Sequence, residues 1–322
     1  MWPFSLSCIS DTCPPEETLK EAPMKPRVAL TRGGSRAQNI DSALRLIKDD
    51  IKLKGKKNVL VKVNFTSRDN QLGATNAEAV RALLKFLREF YKGKIIIGES
   101  TNIPAEVRYE RFGYKGLDKE FNVELVDLNL GQWEIVDLYD AELGNMKVHF
   151  SKTVVESDYR ISIGPAKTHD VVGVTLSMKN IAMALRHAGG DKRKLRQGYA
   201  VHTLDLYLLA KYFPPQLSII DGFVGMEGDG PVTGDPVEWG VAVASTDPVA
   251  ADCLAAQLMG FHISDIGYLW YLQEKKIGVC DVNEMEILGS TFKECYRRFR
   301  PHPLYSEQKE WRTEAVDKIV GV

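Results

Sequence analysis

The sequence predicts an α/β protein with a mostly parallel sheet flanked by helices, and three observations support this. Short apolar runs rich in Val and Ile alternate along the chain with segments whose apolar residues recur at helical spacing. Neither an internal repeat nor a low-complexity stretch interrupts this alternation. With 322 residues, of which 44% are hydrophobic and 26% charged, the chain can bury a full core as one large domain or two lobes.

The clearest α/β unit spans residues 58–100. Residues 59–65 have the β-branched composition of a strand, and 95–97 supply the next one. Between them Thr75 and Glu78 have the spacing of a capping box, in which the hydroxyl accepts from the third helical amide and the carboxylate reaches back. A strand, a crossover helix and a second strand predict a right-handed βαβ unit.

The remaining elements follow the same pattern. Further strands are predicted at 122–127, 133–137, 146–150, 159–163, 217–221, 241–244 and 285–288. A helix is predicted over 248–259, because Asp247 suits the N-cap position and Pro248 the first helical position. Another helix is predicted over 264–275.

These elements suggest four parts of the chain: a disordered extension (1–23), an N-terminal α/β lobe (24–150), a C-terminal α/β lobe (151–290) and a C-terminal arm (291–322). The extension has no basic region ahead of its brief apolar start, so it does not fit a signal peptide. The C-terminal lobe contains a Gly-rich loop over 221–236. We expect the arm to pack on the body of the protein.

Composition excludes several classes of function. A formal net charge of −1 argues against nucleic-acid binding, and no apolar stretch approaches the length of a membrane span. The short basic cluster at 192–196 is explained by a solvated loop. Five scattered cysteines without a C-x-x-C motif favour reduced thiols over a disulfide framework, and hence a cytoplasmic location.

Polar residues near the end of the first βαβ strand form one wall of a candidate site. Lys62 and Asn64 share a strand face, opposite the face of Val61 and Val63. Open α/β sheets place ligands at the carboxyl ends of their strands. The segment 99–101, at the end of the next strand, should lie on the same rim.

A second wall is predicted where strand 159–163 runs into polar residues. Lys167, Thr168 and His169 come first, and Lys179 and Asn180 then precede an apolar helical run. Ammonium, hydroxyl and amide groups at a helix start suit a carboxylate or a phosphate. His169 adds a group that titrates near neutrality, which could be a general base or a metal ligand.

The Gly-rich loop lacks the lysine of a phosphate-binding loop, and its acidic residues would repel phosphate unless a cation intervened. We therefore expect a divalent metal to be held by Asp221 or Glu227. Together these considerations predict catalytic roles for His169, Lys179 and Lys167, ligand or cofactor binding by Lys62, Asn64, Thr168 and Asn180, and metal binding by Asp221 and Glu227.

Several motifs in a fixed order resemble the domain-of-unknown-function-362 family over roughly residues 28–289. They are Lys62–Asn64, Lys167–His169, Gly173–Asn180, Asp221–Gly222 with Met226–Pro231, and Ser245–Asp252. The resemblance implies an α/β fold and a cytoplasmic or anaerobe-type setting, with no assigned activity. Many members of the family carry a ferredoxin-like iron–sulfur module, which this chain lacks because its cysteines are not clustered.

A looser similarity connects the chain with nickel-pincer lactate racemases. Those enzymes have a histidine ten residues before a lysine and a further histidine after that lysine. The lysine anchors the pincer cofactor. His169 and Lys179 match that spacing, with His187 or His202 beyond, but the rest of the motif is absent. The cofactor therefore stays unknown.

Two functions of different classes remain open. The first is an enzyme that acts on a small anionic metabolite, with divalent-metal assistance. The second is a non-catalytic accessory or carrier protein associated with metal or iron–sulfur redox proteins. In that case the C-terminal aromatic residues Tyr296, Phe299, Tyr305 and Trp311 would contact a redox-protein partner.

Overall fold

The structure is a computed structural model that describes residues 25–187 and 189–322. The predicted extension over residues 1–23 lies outside the described residues. No helix in the described part of the chain is long and apolar enough to cross a membrane.

The strands are β1 (Arg27–Arg32), β2 (Asn58–Lys62), β3 (Lys94–Glu99), β4 (Glu124–Asp127), β5 (Trp133–Tyr139), β6 (Asn145–Ser151), β7 (Tyr159–His169), β8 (Gly173–Thr175), β9 (Leu217–Glu227), β10 (Asp235–Ser245) and β11 (Glu286–Gly289).

The α-helices are α1 (Arg36–Leu46), α2 (Ala77–Arg88), α3 (Ala105–Arg111), α4 (Leu117–Phe121), α5 (Lys152–Val155), α6 (Ser177–Ala182), α7 (Asp191–Lys194), α8 (Tyr199–Tyr212), α9 (Pro248–Leu258), α10 (Gly267–Glu274), α11 (Phe292–Cys295), α12 (Tyr305–Gln308) and α13 (Glu314–Val320). Short 3-10 turns cover Lys48–Asp50, Gln71–Gly73, Ile263–Asp265, Val282–Glu284 and Lys309–Trp311.

Nine strands form one mixed sheet in the order β11–β1–β10–β9–β7–β2–β3–β4, with β8 paired to the end of β7. Strand β7 is parallel to β2 and β9, and β3 is parallel to β2 and β4. Strand β10 is antiparallel to both of its neighbours, and β5 and β6 form a separate hairpin. Parallel pairs predominate, as predicted.

Helices cover both faces of this sheet. On strand β2, Val59 and Val61 belong to a core cluster that includes Val80 and Leu83 of α2. Leu60, on the other face, belongs to a second cluster with Met178 of α6 and residues of α8 to α10. The alternation predicted for this strand follows from the two-residue period of a pleated chain. The predicted fold, a mostly parallel sheet flanked by helices, is confirmed.

The sheet takes strands from both sides of residue 150, since β1 pairs with β10 and β2 with β7. The division into lobes at that point stays a prediction.

The start of α2 differs from the predicted capping box. The N-cap is Asn76, whose side chain accepts from the Glu78 amide 2.9 Å away. The Thr75 hydroxyl instead accepts from the Asn64 amide at 2.8 Å and donates to the Ile163 carbonyl at 2.9 Å. Thr75 is buried, and its hydroxyl links the chain after β2 to strand β7 instead of capping the helix.

The Gly-rich segment is also more regular than expected. Most of 221–236 belongs to β9 and β10, which pair in antiparallel fashion, and only residues 228–234 lie between the two strands. Glycines such as Gly222 and Gly225 allow this, because a Cβ would collide with the rings of Trp239 and Phe299, respectively.

Two aromatic residues of the C-terminal arm pack on the body of the protein. Phe299 and Trp311 are buried, and their rings contact Trp239 and Tyr271, respectively. Tyr296 is 49% exposed.

The expectation that all cysteines are reduced is wrong for one pair. Cys253 of α9 and Cys280 form a disulfide, with their Cα atoms 5.0 Å apart. Cys295 is free and buried. The cytoplasmic location therefore stays a prediction without support from cysteine chemistry.

One buried carboxylate fixes the start of α6, the helix that carries Lys179 and Asn180. Asp252 of α9 accepts from the backbone amides of Ser177 and Met178, each at 2.9 Å. Its side chain is fully buried, and burial raises the pKa of this carboxyl to about 7. Two of the amides that a helix start leaves without partners are thereby satisfied from a neighbouring helix.

We predict that Asp252→Ala lowers the free energy of unfolding by about 2–4 kcal/mol, because it leaves two buried amides without an acceptor. Urea unfolding followed by circular dichroism would measure this. Asp281→Ala is the matched control, since Asp281 caps a 3-10 turn at the surface and its loss should cost about 1 kcal/mol or less. Equal losses in the two variants would contradict the assignment.

Candidate functional site

A cavity of about 290 Å³ lies at the carboxyl ends of β2, β3 and β7. Its walls come from the residues after β2 and β3, the β7–β8 turn, helix α6, residue 187 and the stretch 192–196, the first turn of α8, and the loop between β9 and β10. Because parallel strands end at one edge, residues far apart in sequence meet here. The rim predicted for Asn64 and residues 99–101 is present.

The cavity carries more positive than negative charge. Four basic side chains and two carboxylates line it: Lys179, Lys192, Arg193 and Arg196, together with Glu99 and Asp170. The basic stretch 192–196 is exposed to solvent at Arg193 and Arg196, as predicted, but Lys192, Arg193 and Arg196 also line the cavity. Nothing in the local pattern distinguished this stretch from a surface loop, since only the fold turns it towards the cavity.

Lys179 is the most unusual of these cations. Its side chain is only 6% exposed, yet its ammonium group makes no hydrogen bond or ion pair with any residue that the structure describes. Burial lowers the pKa of Lys179 to about 7, and Asp170 partly opposes this shift, whereas Arg196, Lys192 and Lys62 add to it. A buried ammonium group without a partner is a strong candidate for ligand binding.

Glu99 cannot neutralise Lys179, because other groups already occupy it. Its carboxylate lies 2.8 Å from the Lys62 ammonium and accepts from the Phe65 and Ser100 amides at 2.9 and 2.7 Å. Lys62 also donates to the Asn180 side-chain oxygen at 3.2 Å. Lys62 and Asn180 therefore lie behind the cavity wall rather than in it, and hold Glu99 and α6 in place.

Lys167 has a similar supporting position. It is fully buried and donates to Asn64 Oδ1 at 2.8 Å, to the Gly73 carbonyl at 3.2 Å and to the Thr66 hydroxyl at 3.3 Å. Burial lowers the pKa of Lys167 to about 7, with Lys179 as the next cause. Its three oxygen partners leave no donor directed at a ligand, so the structure favours a structural role over the predicted catalytic one.

Thr168 faces the loop that follows β9. Its buried hydroxyl donates to the Gly228 carbonyl at 2.9 Å. Of the four residues predicted to bind a ligand, the structure places Asn64 at the cavity and Lys62, Thr168 and Asn180 around it.

His169 lines the cavity at the end of β7, and its backbone contacts fix its tautomer. The Val171 amide donates to His169 Nδ1 at 3.0 Å, so Nδ1 carries a lone pair and the proton of the neutral ring lies on Nε2. Asp170 Oδ1 lies 3.1 Å from the same nitrogen but has no hydrogen-bond partner among the described residues. Burial and Lys179 hold the pKa of His169 well below its usual range.

The Nε2 of His169 is thus a hydrogen-bond donor. In this tautomer Nε2 has no free lone pair for a substrate proton or a metal ion, and the catalytic role of His169 stays a prediction. The amide of Gln308 secures the backbone on both sides of the turn, accepting from the Gly173 amide at 3.0 Å and donating to the His169 carbonyl at 2.8 Å.

Two further histidines, His187 and His202, line the cavity. His202 is buried in the first turn of α8, and its Nδ1 lies 2.6 Å from the Leu195 carbonyl oxygen. Sequence reasoning noted both residues without giving them a role. The only available signal was their position shortly after Lys179.

The structure does not bring the two predicted metal ligands together. Asp221 forms a buried ion pair with Arg36, 2.8 Å apart, and Glu227 accepts from the Arg300 amide at 2.9 Å. Both lie on β9, and six residues of extended chain separate them by about 20 Å. Within residues 25–187 and 189–322, no group of three or more His, Cys, Asp or Glu residues is arranged to hold a metal ion.

We predict that Lys179→Met raises the free energy of unfolding by about 1–4 kcal/mol near pH 6, because it removes a buried charge that Asp170 compensates only in part. A lysine with a lowered pKa binds its proton more tightly when unfolded, so wild-type stability rises between pH 7 and about 10.5. The advantage of the variant should therefore shrink towards about pH 9.5. Urea unfolding at both pH values measures it.

Lys54→Met is the control, since Lys54 is exposed and its loss should change stability by less than about 0.5 kcal/mol. A Lys179→Met protein that is less stable than wild type at both pH values would contradict the description of Lys179.

The chain is similar to a relative of known sequence and to a protein of known structure. The chain is 26% identical over 288 residues to Thylakoid-associated protein sll1697 of Synechocystis sp., an alignment that covers 77% of this chain and 85% of the relative. A solved structure, the lactate racemase apoprotein from Thermoanaerobacterium thermosaccharolyticum, superposes with a TM-score of 0.48 at 16% identity. That superposition covers 76% of this chain and 58% of the racemase chain.

The family described as Domain of unknown function (DUF362) matches residues 59–257. This range contains β7 and α6 and all but one residue each of β2 and α9, elements that build the cavity and hold Lys179 in it. The chain belongs to the DUF362 family.

Proposed function

We propose that this protein is an enzyme that binds a small anionic metabolite in the cavity at the strand ends. The observation that carries the proposal is Lys179, whose ammonium group is buried at the cavity without a partner among the described residues. An anion would supply the missing counter-charge. Lys192 and Arg196, and the Nε2–H of His169, support the same charge preference from the neighbouring walls.

The lowered pKa values of two lysines at the cavity support catalysis as well as binding. Burial lowers the pKa of Lys179 to about 7 and that of Lys192 to about 8. A group with a pKa near the working pH can take up and release a proton, which is the property that general acid–base catalysis requires. Clusters of perturbed groups in a cleft are typical of catalytic sites. In this proposal Lys179 binds the anion and exchanges a proton during turnover.

Divalent-metal assistance is not part of the proposal, because Asp221 and Glu227 lie apart and have other partners. The alternative, an accessory or carrier protein for redox proteins, needs exposed aromatic residues on the C-terminal arm. Phe299 and Trp311 are buried in the body of the protein, whereas Tyr296 is 49% exposed, so only part of the predicted contact surface is accessible. The cytoplasmic location remains a prediction, and the relative from Synechocystis is named as thylakoid-associated.

We predict that inorganic phosphate or acetate binds about tenfold or more weakly to Lys179→Met than to wild type, since a charge-assisted hydrogen bond is lost. Isothermal titration calorimetry measures this. Wild-type affinity should be greatest below pH 7 and fall by up to about tenfold per pH unit above it, as Lys179 loses its proton. The other charged or titratable groups facing Lys179 are Glu99, His169, Asp170, His187, Lys192, Arg193, Arg196 and His202.

Lys54→Met should bind the anion as wild type does, because Lys54 is exposed and does not line the cavity. Equal affinity in wild type and Lys179→Met, unchanged between pH 6 and pH 9, would refute anion binding at this site. Incubation with phosphorylated and carboxylated metabolites, followed by NMR, tests the catalytic part. Anions that bind but are never converted would contradict an enzyme.

A further inference from the structure

His202 provides a buried acceptor that lacks a donor. Its Nδ1 faces the Leu195 carbonyl oxygen, which can only accept, so Nδ1 carries the proton and Nε2 keeps the lone pair. The Nε2 atom is buried and has no hydrogen-bond partner in the described part of the chain. The side chain is 4% exposed and lines the cavity. Since buried acceptors are nearly always satisfied, a donor is missing here.

Two oxygen atoms of residues that line the cavity also lack a hydrogen-bond partner. Thr175 Oγ1 and Asp170 Oδ1 are also buried without a hydrogen-bond partner among the described residues, and both residues line the cavity. The two ring nitrogens that matter are complementary: His169 offers a donor at Nε2, whereas His202 offers an acceptor at Nε2. One side of the cavity therefore suits an anionic group, and another side suits a hydrogen-bond donor.

On the basis of the anion-binding function proposed above, we infer that the ligand is a small anion that also carries a hydroxyl group. The anionic group pairs with Lys179, and the hydroxyl donates to His202 Nε2. A cationic donor such as an ammonium group fits less well, because Lys179, Lys192 and Arg196 would repel it. The volume of about 290 Å³ limits the ligand to a small metabolite.

His202 can keep this role throughout the physiological pH range. Burial lowers its pKa to about 3, with the Lys179 ammonium as the next cause, so the ring stays neutral. The hydrogen bond to Leu195 and the position in the first turn of α8 fix the ring orientation. Nε2 lies on the ring edge remote from that hydrogen bond and has no partner among the described residues.

Matched anions test the inference by calorimetry. Glycerol 3-phosphate is compared with propyl phosphate, and glycolate with acetate, so that the two pairs distinguish a phosphate from a carboxylate. Wild type should bind the hydroxylated member of at least one pair about tenfold or more tightly. Equal binding of both members in both pairs would overturn the inference while leaving anion binding intact.

Two substitutions separate the nitrogens of His202. In His202→Asn the amide nitrogen takes the place of Nδ1 and can still donate to Leu195, but the acceptor at Nε2 is lost. In His202→Gln the amide oxygen reaches the place of Nε2 and keeps an acceptor there. The preference for the hydroxylated anion should disappear in His202→Asn and persist in part in His202→Gln. The same preference in wild type and His202→Asn would contradict the inference.

The binding experiments give a different result if the proposed anion-binding function is itself wrong. If no anion of either pair binds, or if Lys179→Met binds all four as wild type does, the proposed function falls, and the inference with it. The ring tautomer is a readout that needs no ligand. Long-range ¹H–¹⁵N NMR of the free protein should show His202 protonated at Nδ1 and not at Nε2, and a proton on Nε2 would overturn the inference directly.

Discussion

The side chain of Lys179 is buried at the cavity, Asp170 balances its charge only in part, and its ammonium group has no hydrogen-bond or ion-pair partner among the described residues. The organisation of the site depends on this. Moving a charge out of water is costly unless it is paired, and an isolated buried charge usually loses its proton instead. The fold accepts this cost at one position while satisfying comparable groups nearby, since Lys62 is paired with Glu99 and Lys167 has three oxygen partners. Lys179 differs from both because its neighbour is a cavity.

Contacts behind the cavity wall hold helix α6, and with it Lys179, in place. Asp252 fixes the start of α6 through two backbone amides, and Asn180 on the same helix donates to the Lys62 carbonyl at 3.1 Å and to the Ser162 hydroxyl at 3.0 Å. Lys179 therefore projects from a helix that is anchored at both α9 and the sheet. Groups that are fixed before a ligand arrives lose little further freedom on binding, which favours affinity and catalysis alike.

The sequence could predict the structural features that have a local signal. Helix α9 has an N-cap at Asp247 and a proline at its first position, and β2 places Val59 and Val61 on one face and Lys62 on the other. His169 and Lys179 stood out because polar residues followed predicted strands directly. The roles of the other lysines could not be predicted, since the burial of Lys167 and the pairing of Lys62 depend on strands and loops far along the chain.

Long-range packing also explains the failures. Thr75 has the spacing of a capping box, but the neighbouring strands use its hydroxyl. Lys192 and Arg196 belong to a stretch that resembles a surface loop, and only the segment after α6 turns them towards the cavity. Asp221 and Glu227 are close in sequence, and the extended conformation of β9 separates them. Charge and sequence spacing identify candidate groups, whereas the fold decides which of them meet.

The most direct test of this account is the titration of the Lys179 side chain in the intact protein. Selective ¹⁵N labelling of lysine, with Lys179→Met to assign the signal, allows the Nζ resonance to be followed against pH by NMR. The account predicts a pKa of about 7 in the free protein and a higher value when phosphate or acetate is bound. A pKa near the ordinary lysine value of about 10.4, unchanged by either anion, would contradict it.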